Sequence, residues 1–531
     1  MRVLSDPLTG AAATRRTSRR AAGPLAAALA VVLLGGCTGA PASGEDGSGT
    51  TAQAAVRSAP GDVVASVPLT VGGTEVTVDV HPLVRAGEHV VLTYDLVPDG
   101  EEDVRLGGRF GSELRGEYVR LADLRTKHVH VQARSQEGEV VGSPQELYRL
   151  PAPGVRVQRA FAAPAEGTGT MGVMLPGAYL EAVPVVDGEV PAPVLATGDD
   201  GAPAAGGRVR PIDLEAVAEA PVHGLESFTR ELSGAVDVLE SSEHVRINLG
   251  GDVLFDSGSS SLGAEALAVV EAAAARLSTR APGVVEVVGH TDDVGAAATN
   301  QVLSERRAQA VADALAGLID TDRYELRPSG RGEAQPLVPN TTEENRAANR
   351  RVVLTLTSGA ASGSQVGSAG ELPEFEGPVA TGTLGVEIDG VRRWRCTAPA
   401  VERVGDSLLV TLDVTALDDA VDSAIAPGAL SGIRSYRGEG TSVPRHVLGL
   451  TLMAGSSAVH PYDYLAGTGP EGEEVWHTLG ELDTLQRVDG GQTLRFVAVY
   501  PSVGDVETVT LQLDDVLGAK PFRLTDVPVV G

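Results

Sequence analysis

The sequence predicts a multidomain protein: a central α+β sandwich, a mixed sheet with helices on one side, flanked by two related all-β sandwich-like domains. Three observations carry this. Between residues 243 and 357, apolar runs of strand and helix period alternate. On either side, residues 61–188 and 371–531 hold short alternating apolar stretches broken by Gly, Pro and Asp turn signals, the texture of small antiparallel sandwiches. The two flanks also repeat one another in sequence. A length of 531 residues accommodates such a set, at roughly three or four domains of about 150 residues.

Composition narrows the function classes. The chain carries 42 Lys and Arg against 71 Asp and Glu, a formal net charge of −29. Phosphate binding needs clustered cations that displace counterions, so a nucleic-acid partner is excluded, as is a broad anionic-membrane surface. A hydrophobic fraction of 42% is that of packed globular domains. Two cysteines support neither a disulfide framework nor a four-thiolate metal site. Redox chemistry is not expected, and no cofactor or metal is.

Residues 1–36 read as a signal peptide. Arg15, Arg16, Arg19 and Arg20 precede an apolar run from Ala21 to Leu34, followed by Gly35, Gly36 and Cys37. The run is shorter than the roughly 20 apolar residues a permanent span needs. Leu34-Gly35-Gly36-Cys37 resembles the bacterial lipobox, which implies that a lipid such as palmitate is attached at Cys37 and that the chain is cut just before it. Stable anchoring takes more than one acyl chain, at about 0.8 kcal/mol per buried methylene. Residues 37–60 are Ala, Gly, Ser, Thr and Pro with scattered charges, a flexible tether with a root-mean-square reach of about 25 Å.

The first β-domain, residues 61–188, draws its strands from Val76–Val80, His89–Leu96 and His128–Val131. Residues 189–242 read as a linker and residues 358–370 as a Gly/Ser linker, ahead of the second β-domain at 371–531. The repeat aligns Gly87–Leu96 with Gly405–Val414 without gaps, Arg159–Pro164 loosely with Arg495–Pro501, and Val183–Val186 with Val527–Val530.

In the central unit the expected strands are Val245–Leu249, Val284–Val288, Tyr324–Pro328 and Arg351–Thr357. An Ala-rich helix is expected over Gly263–Leu277. A second helix starts with Ser304 as cap and Glu305 in its first turn, and keeps Ala308, Val311, Ala312, Leu315 and Leu318 on one face. The first strong strand ends in Gly289-His290-Thr291-Asp292.

Here the residues resemble a known family. Gly289–Asp292 (GHTD), Gly295, Asn300 and Leu303–Ala308 (LSERRA) are similar to the signature of the OmpA-like C-terminal domain, shared by peptidoglycan-associated lipoproteins and flagellar stator subunits. Val253–Leu262, Gly330–Pro336 (GRGEAQP) and Asn349–Val352 (NRRV) extend the resemblance over about 115 residues. It implies non-covalent binding of the peptidoglycan stem peptide through its diamino acid, diaminopimelate in most walls. Asp292 would receive the ligand's ammonium and Arg307 its carboxylate, with Asn300 and Leu303 shaping the pocket and Asp256 a lesser candidate. The chemistry suits a zwitterion: an acceptor-only carboxylate beside a guanidinium fork that grips carboxylate bidentately. Arg307, in the first turn of its helix on this reading, would share the helix's positive end with that ligand carboxylate. The chain departs from the family two positions after Phe255, where Ser257 stands in place of the usual aromatic residue.

Other signals are bland on their own. His128 and His130, two apart on a strand, could share a metal with a third group, but no ligand spacing supports it and they read as surface histidines. His290 beside Asp292 and Asp293 is not read as a hydrolase or metal cluster. Gly330–Gly332 lacks the spacing of a phosphate loop and reads as a tight turn. Glu343, Glu344, Arg346, Arg350 and Arg351 read as a solvated helix end. The function expected is that of a cell-envelope lipoprotein, not an enzyme, that tethers a membrane to the wall. The alternative is an envelope adhesin or assembly protein whose β-domains bind a protein partner while the central unit only localises it. A stator is disfavoured, for want of a retained membrane helix. The lipid would lie in the outer leaflet of the cytoplasmic membrane of a monoderm, or in the outer membrane of a diderm. Residues 243–357 hold 11 Arg and 16 Asp or Glu, so most of the negative charge falls on the flanks and linkers.

Overall fold

Most of the regular secondary structure is strand, and Val, Ile and Thr recur along it outside the Ala-rich segments of the centre. The computed structural model describes residues 58–71, 74–106, 118–144, 147, 149–193, 211–358, 371–389, 392–420, 424–425, 430, 446–469, 472–484, 486–514 and 520–531. The signal, Cys37 and nearly all of the tether lie outside the described residues, as do 194–210 and 359–370. Residues 56–531 form one compact unit.

In the N-terminal part, β1 (Ala65–Val71), β2 (Thr74–Val80), β3 (Leu83–Ala86) and β4 (His89–Pro98) are followed by β5 (Arg120–Asp123) and β6 (His128–His130). Then come β7 (Val155–Ala162), β8 (Thr170–Leu175) and β9 (Ala178–Asp187). Val90, Leu92, Tyr94 and Leu96 of β4 alternate into one core with Val157 and Phe161 of β7. Gly87 lies at φ +63° in the β3–β4 turn, a conformation glycine adopts without penalty.

Residues 222–241, read from sequence as linker, are strands instead: β10 (Val222–Gly224), β11 (Glu226–Glu231) and β12 (Val236–Ser241). The physical reason is edge pairing. β10 lies antiparallel on β6, β11 pairs with the C-terminal part, and β12 extends the central sheet.

The central sheet runs β12, β13 (His244–Gly250), β16 (Arg351–Thr357), β14 (Gly283–Gly289), β15 (Tyr324–Gly330), antiparallel except for the parallel β14–β15 pair. A single turn, α1 (Gly251–Leu254), leads to α2 (Ala264–Ser278); α3 (Ala297–Ala316) and α4 (Glu343–Asn349) complete it. Ala266, Val270, Ala273, Ala274 and Leu277 form the buried stripe of α2, packed with Ala308, Val311, Ala312 and Leu315 over the sheet's Val, Ile and Leu side chains. Leu318, assigned to that stripe from sequence, is 43% exposed past the end of α3, and Ile319 is buried in its place.

The C-terminal part contains β17 (Val386–Asp389), β18 (Arg393–Thr397), β19 (Val401–Val404), β20 (Ser407–Ala416) and β21 (Leu450–Ala454). After these come β22 (Ser457–Val459), β23 (Asp463–Thr468), β24 (Thr493–Pro501), β25 (Thr508–Leu513) and β26 (Phe522–Val530). Its pairing repeats that of the N-terminal part at several matching positions. Asp95 faces Arg156 across β4–β7, and Asp413 faces Arg495 across β20–β24. Each pair is an ion pair, at 2.7 and 2.8 Å. Val185 pairs in parallel with Leu83, and Val529 with Val401. A register shift falls between Met171 and Val173 and between Val509 and Leu511. The counterpart of Arg495 is therefore Arg156, three residues before the Arg159 that the sequence alignment chose.

Candidate functional site

The site forms where β14 ends against α3. A Cβ on Gly289 would lie 2.1 Å from the Ser304 carbonyl oxygen, so only glycine lets the helix cross this close. Ser304 was expected to cap α3, but the helix starts seven residues earlier, at Ala297, and Ser304 is interior. Its hydroxyl donates to the Gln301 carbonyl at 2.8 Å and accepts from the Gly332 amide at 2.9 Å. The 330–332 turn, with Gly332 at φ +52°, is thereby held on the helix. Arg307 accordingly lies in the third turn of α3, not the first, and gains nothing from the helix N-terminus.

Asp292 follows directly on the strand end. Its Oδ1 accepts from the Val294 amide at 3.1 Å and its Oδ2 from Arg350 Nη1 at 2.7 Å. Asn300, buried in the first turn of α3, ties the loop together. Its Nδ2 reaches the carbonyls of Asp292 and Val294 at 3.3 and 3.2 Å and Glu333 Oε2 at 2.7 Å. Leu303 is half-buried on the same helix.

Arg307 is 5% exposed. Its Nε donates to the Ser259 carbonyl at 2.9 Å and its guanidinium carbon sits 4.9 Å from the Phe255 ring centroid, a cation–π contact. Among the described residues this is its only hydrogen bond, so both terminal nitrogens lack a protein acceptor. Burial pushes its pKa below the usual range and Arg350 adds to that, while Asp252 and Asp292 act in the opposite direction. Asp256 is exposed, and its backbone carbonyl accepts from Ser259 at 2.9 Å. The structure thus ties Asp292 and Asn300 into one loop, holds Arg307 on α3 against Phe255 and Ser259 within electrostatic reach of Asp292, and leaves Asp256 in the turn that positions Ser259.

Sequence reasoning missed Arg350, which it assigned to a solvated helix end. Arg350 Nε and Nη2 grip Asp252 at 2.7 Å each, Nη1 holds Asp292, and Nη2 reaches Glu343 at 2.9 Å. The Asp252 pair, first among these partners, raises its pKa above even the usual arginine value. The NRRV motif contained the signal. Its neighbour Asn349 is fully buried and binds the Leu337 and Val338 amides, fixing the loop after Gly332. His290 is buried, and burial, with Arg351 and Arg331 nearby, drives its imidazole down to about 4. His130 is also buried rather than on the surface, with Nδ1 2.8 Å from the Ala162 carbonyl. Among the described residues no group of His, Cys, Asp and Glu could hold a metal, and no helix is long and apolar enough to cross a membrane.

The OmpA family matches residues 254–350. Putative lipoprotein YfiB of Escherichia coli is 33% identical over 119 residues, covering 22% of this chain and 74% of YfiB. The chain belongs to the OmpA family. Probable lipoprotein YiaD of E. coli is similar to the OmpA-family unit at 35% identity over 122 residues, 23% of this chain and 55% of YiaD. Outer membrane porin F of Pseudomonas aeruginosa is 40% identical over 111 residues, 21% of this chain and 31% of the porin. The chain therefore spans only about half of YiaD and under a third of the porin. Among solved structures, the cell wall anchor of the T6SS from P. aeruginosa is 32% identical, with 24% of this chain and 90% of that one covered at a TM-score of 0.22. The OmpA-family match lies within the central α+β unit, the segment that carries Asp292, Arg307 and Arg350.

Proposed function

We propose that the chain is a cell-envelope lipoprotein that binds peptidoglycan non-covalently through the stem-peptide diamino acid and so tethers a membrane to the wall. The observation that carries this reading is Arg307: a nearly buried guanidinium fixed by Nε and Phe255, with terminal N–H donors that no described residue accepts. A ligand carboxylate satisfies those donors bidentately. Asp292, beside it, offers a carboxylate to an ammonium, and Asp252 and Glu343 keep Arg350 occupied while that exchange takes place. The group acts by binding and is not an enzyme's catalytic set.

Two relatives carry lipoprotein names, and Cys37 ends a lipobox-like stretch, which supports an acyl anchor on the extracytoplasmic face of a membrane: the cytoplasmic membrane in a monoderm, the outer membrane in a diderm. The matched registers of the N- and C-terminal parts support two related β-sandwich-like domains on either side of the wall-binding unit. Co-sedimentation of the mature chain with purified sacculi tests the function. Wild type pellets with the wall and is released by diaminopimelate-type stem peptide, whereas Asp292→Ala and Arg307→Ala remain in the supernatant. Undiminished pelleting of both variants would refute the proposal.

A further inference from the structure

The two β-parts pack on each other in one direction only. Ala122, Leu124, Val129 and Met174 of the first lie on Leu409, Tyr462, Leu479 and Val499 of the second. Arg120, 1% exposed, donates to the Thr478 and Gly480 carbonyls at 2.6 Å each across this contact. Different faces meet, so the interface is head to tail, an arrangement that closes on itself only when something covers the free end.

The first part has its own copy of the face that the second uses. The Tyr462 amide donates to the Val499 carbonyl, Leu479 to Tyr462, and Val499 to Leu479. In the first part Ala133 donates to Ala160, Val141 to Ala133, and Ala160 to Val141. The ladder continues outward alike: the His460 amide donates to the Phe228 carbonyl, and Val131 donates to Pro221. Ala133, Val141 and Ala160 are therefore the positional equivalents of Tyr462, Leu479 and Val499. On the second part that triad is covered by a β-domain. On the first it is covered by Ile212, Leu214, Val217 and Ala220, from the segment just before β10. The same segment satisfies the sheet edge: the Arg134 amide donates to Glu219 at 2.8 Å, and Ala218 donates back to Arg134 at 2.8 Å.

We propose that residues 211–221 are an intramolecular cap, filling on the first β-domain the docking face that on the second holds a β-domain, and so keeping the chain from pairing with a second copy. With the cap displaced, each copy exposes one new apolar patch beside unpaired backbone groups of Val131 and Arg134. An edge of this kind is a template for strand pairing. Two copies then pair antiparallel along the exposed Val131–Arg134 edges rather than through the head-to-tail contact, which sets the two patches against each other about a two-fold axis, the closed arrangement commonest among oligomers. The proposal concerns the β-domains alone and stands or falls independently of wall binding.

The test is sedimentation velocity of the mature chain across a concentration series, with Ile212→Asp and Val217→Asp introduced together and hydrogen exchange followed in parallel. Wild type remains monomeric. The variant loses protection at Val131 and Arg134 but keeps it at Ala133 and along Val90–Leu96, and its weight-average mass rises about twofold with concentration, as a closed dimer requires. Adding Val141→Glu to that variant restores the monomer. Three results would overturn the proposal: a monomer with the cap released, association that Val141→Glu leaves intact, or loss of protection throughout Val90–Leu96, which would make the segment part of the core rather than a cap.

Discussion

Glu240 provides a sharp test of how the OmpA-family unit is built, because it lies in the stretch that sequence composition assigns to a linker. Its carboxylate is 6% exposed and receives Arg276 Nη2 at 2.6 Å and Arg280 Nη1 at 3.1 Å. Arg280 is 2% exposed and also donates to the Ser241 and Ser358 carbonyls, at 2.9 and 3.0 Å. Glu240→Ala leaves two guanidinium groups short of the carboxylate they share, one of them inside the fold. Removing one partner of a buried ion pair destabilises by about 3–5 kcal/mol, since the remaining charge stays desolvated. A chain of 531 residues is far longer than those for which all-or-none unfolding is the rule, so a single melting temperature is a poor readout. Hydrogen exchange of the β14 amides Val285 and Val287 reports on the affected unit, and their protection should fall by about two to four orders of magnitude. Amides of Val90–Leu96 in the N-terminal part should not change. A loss below about tenfold at β14 would mean that water or another side chain takes over the Arg280 charge, and that β12 is an accessory to this sheet rather than part of it.

Other outcomes follow from the same physics. Asp292→Asn and Arg307→Met each remove one charge of the proposed zwitterion site, and stem-peptide affinity measured by calorimetry should drop by at least about 30-fold, the lower end for truncating a buried charged contact. The fold should lose stability in acid: His290 and His477 titrate at about 4 and about 3 when folded, against about 6.5 when unfolded. Between pH 6.5 and 4 the unfolded chain takes protons the folded one refuses, so stability is full above that window and declines within it, by up to about 1.4 kcal/mol per pH unit for each histidine. His290→Gln should flatten the decline in hydrogen-exchange protection of the β14 amides between pH 7 and pH 5. Cys396 is fully buried and its thiol is pushed up to about 12 by that burial, so a thiol reagent should leave it unmodified in the native chain. In denaturant it should find one thiol per chain where Cys37 carries lipid and two where it does not.

How far the sequence could be read depended on the distance between interacting partners. Strands β13 to β16 and helix α2 fall within two residues of expectation, because their apolar periods are local and strong. The start of α3 does not: Ser304 followed by Glu305 mimics a capping sequence, yet Ala297, Ala298 and Gln301 are good helix formers and Asn300 secures the preceding loop by its side chain. The Ser304 hydroxyl is drawn instead to the Gly332 amide, 28 residues away. Arg350 looked like one charge among several on a short helix, and its decisive partners Asp252 and Asp292 are 98 and 58 residues distant. The strands at 222–241 are the extreme case. β11 finds its partner at Ser457–Val459, more than two hundred residues on, and its apolar alternation is weak because one neighbour belongs to the central sheet and the other to the C-terminal part. Pairing of that kind is settled by cross-strand packing rather than by local propensity. The same reasoning explains the three-residue slip in the repeat. Arg159 and Arg156 both stand ahead of an apolar run, and only the carboxylate opposite, Asp95, distinguishes which of them occupies the position that Arg495 takes against Asp413.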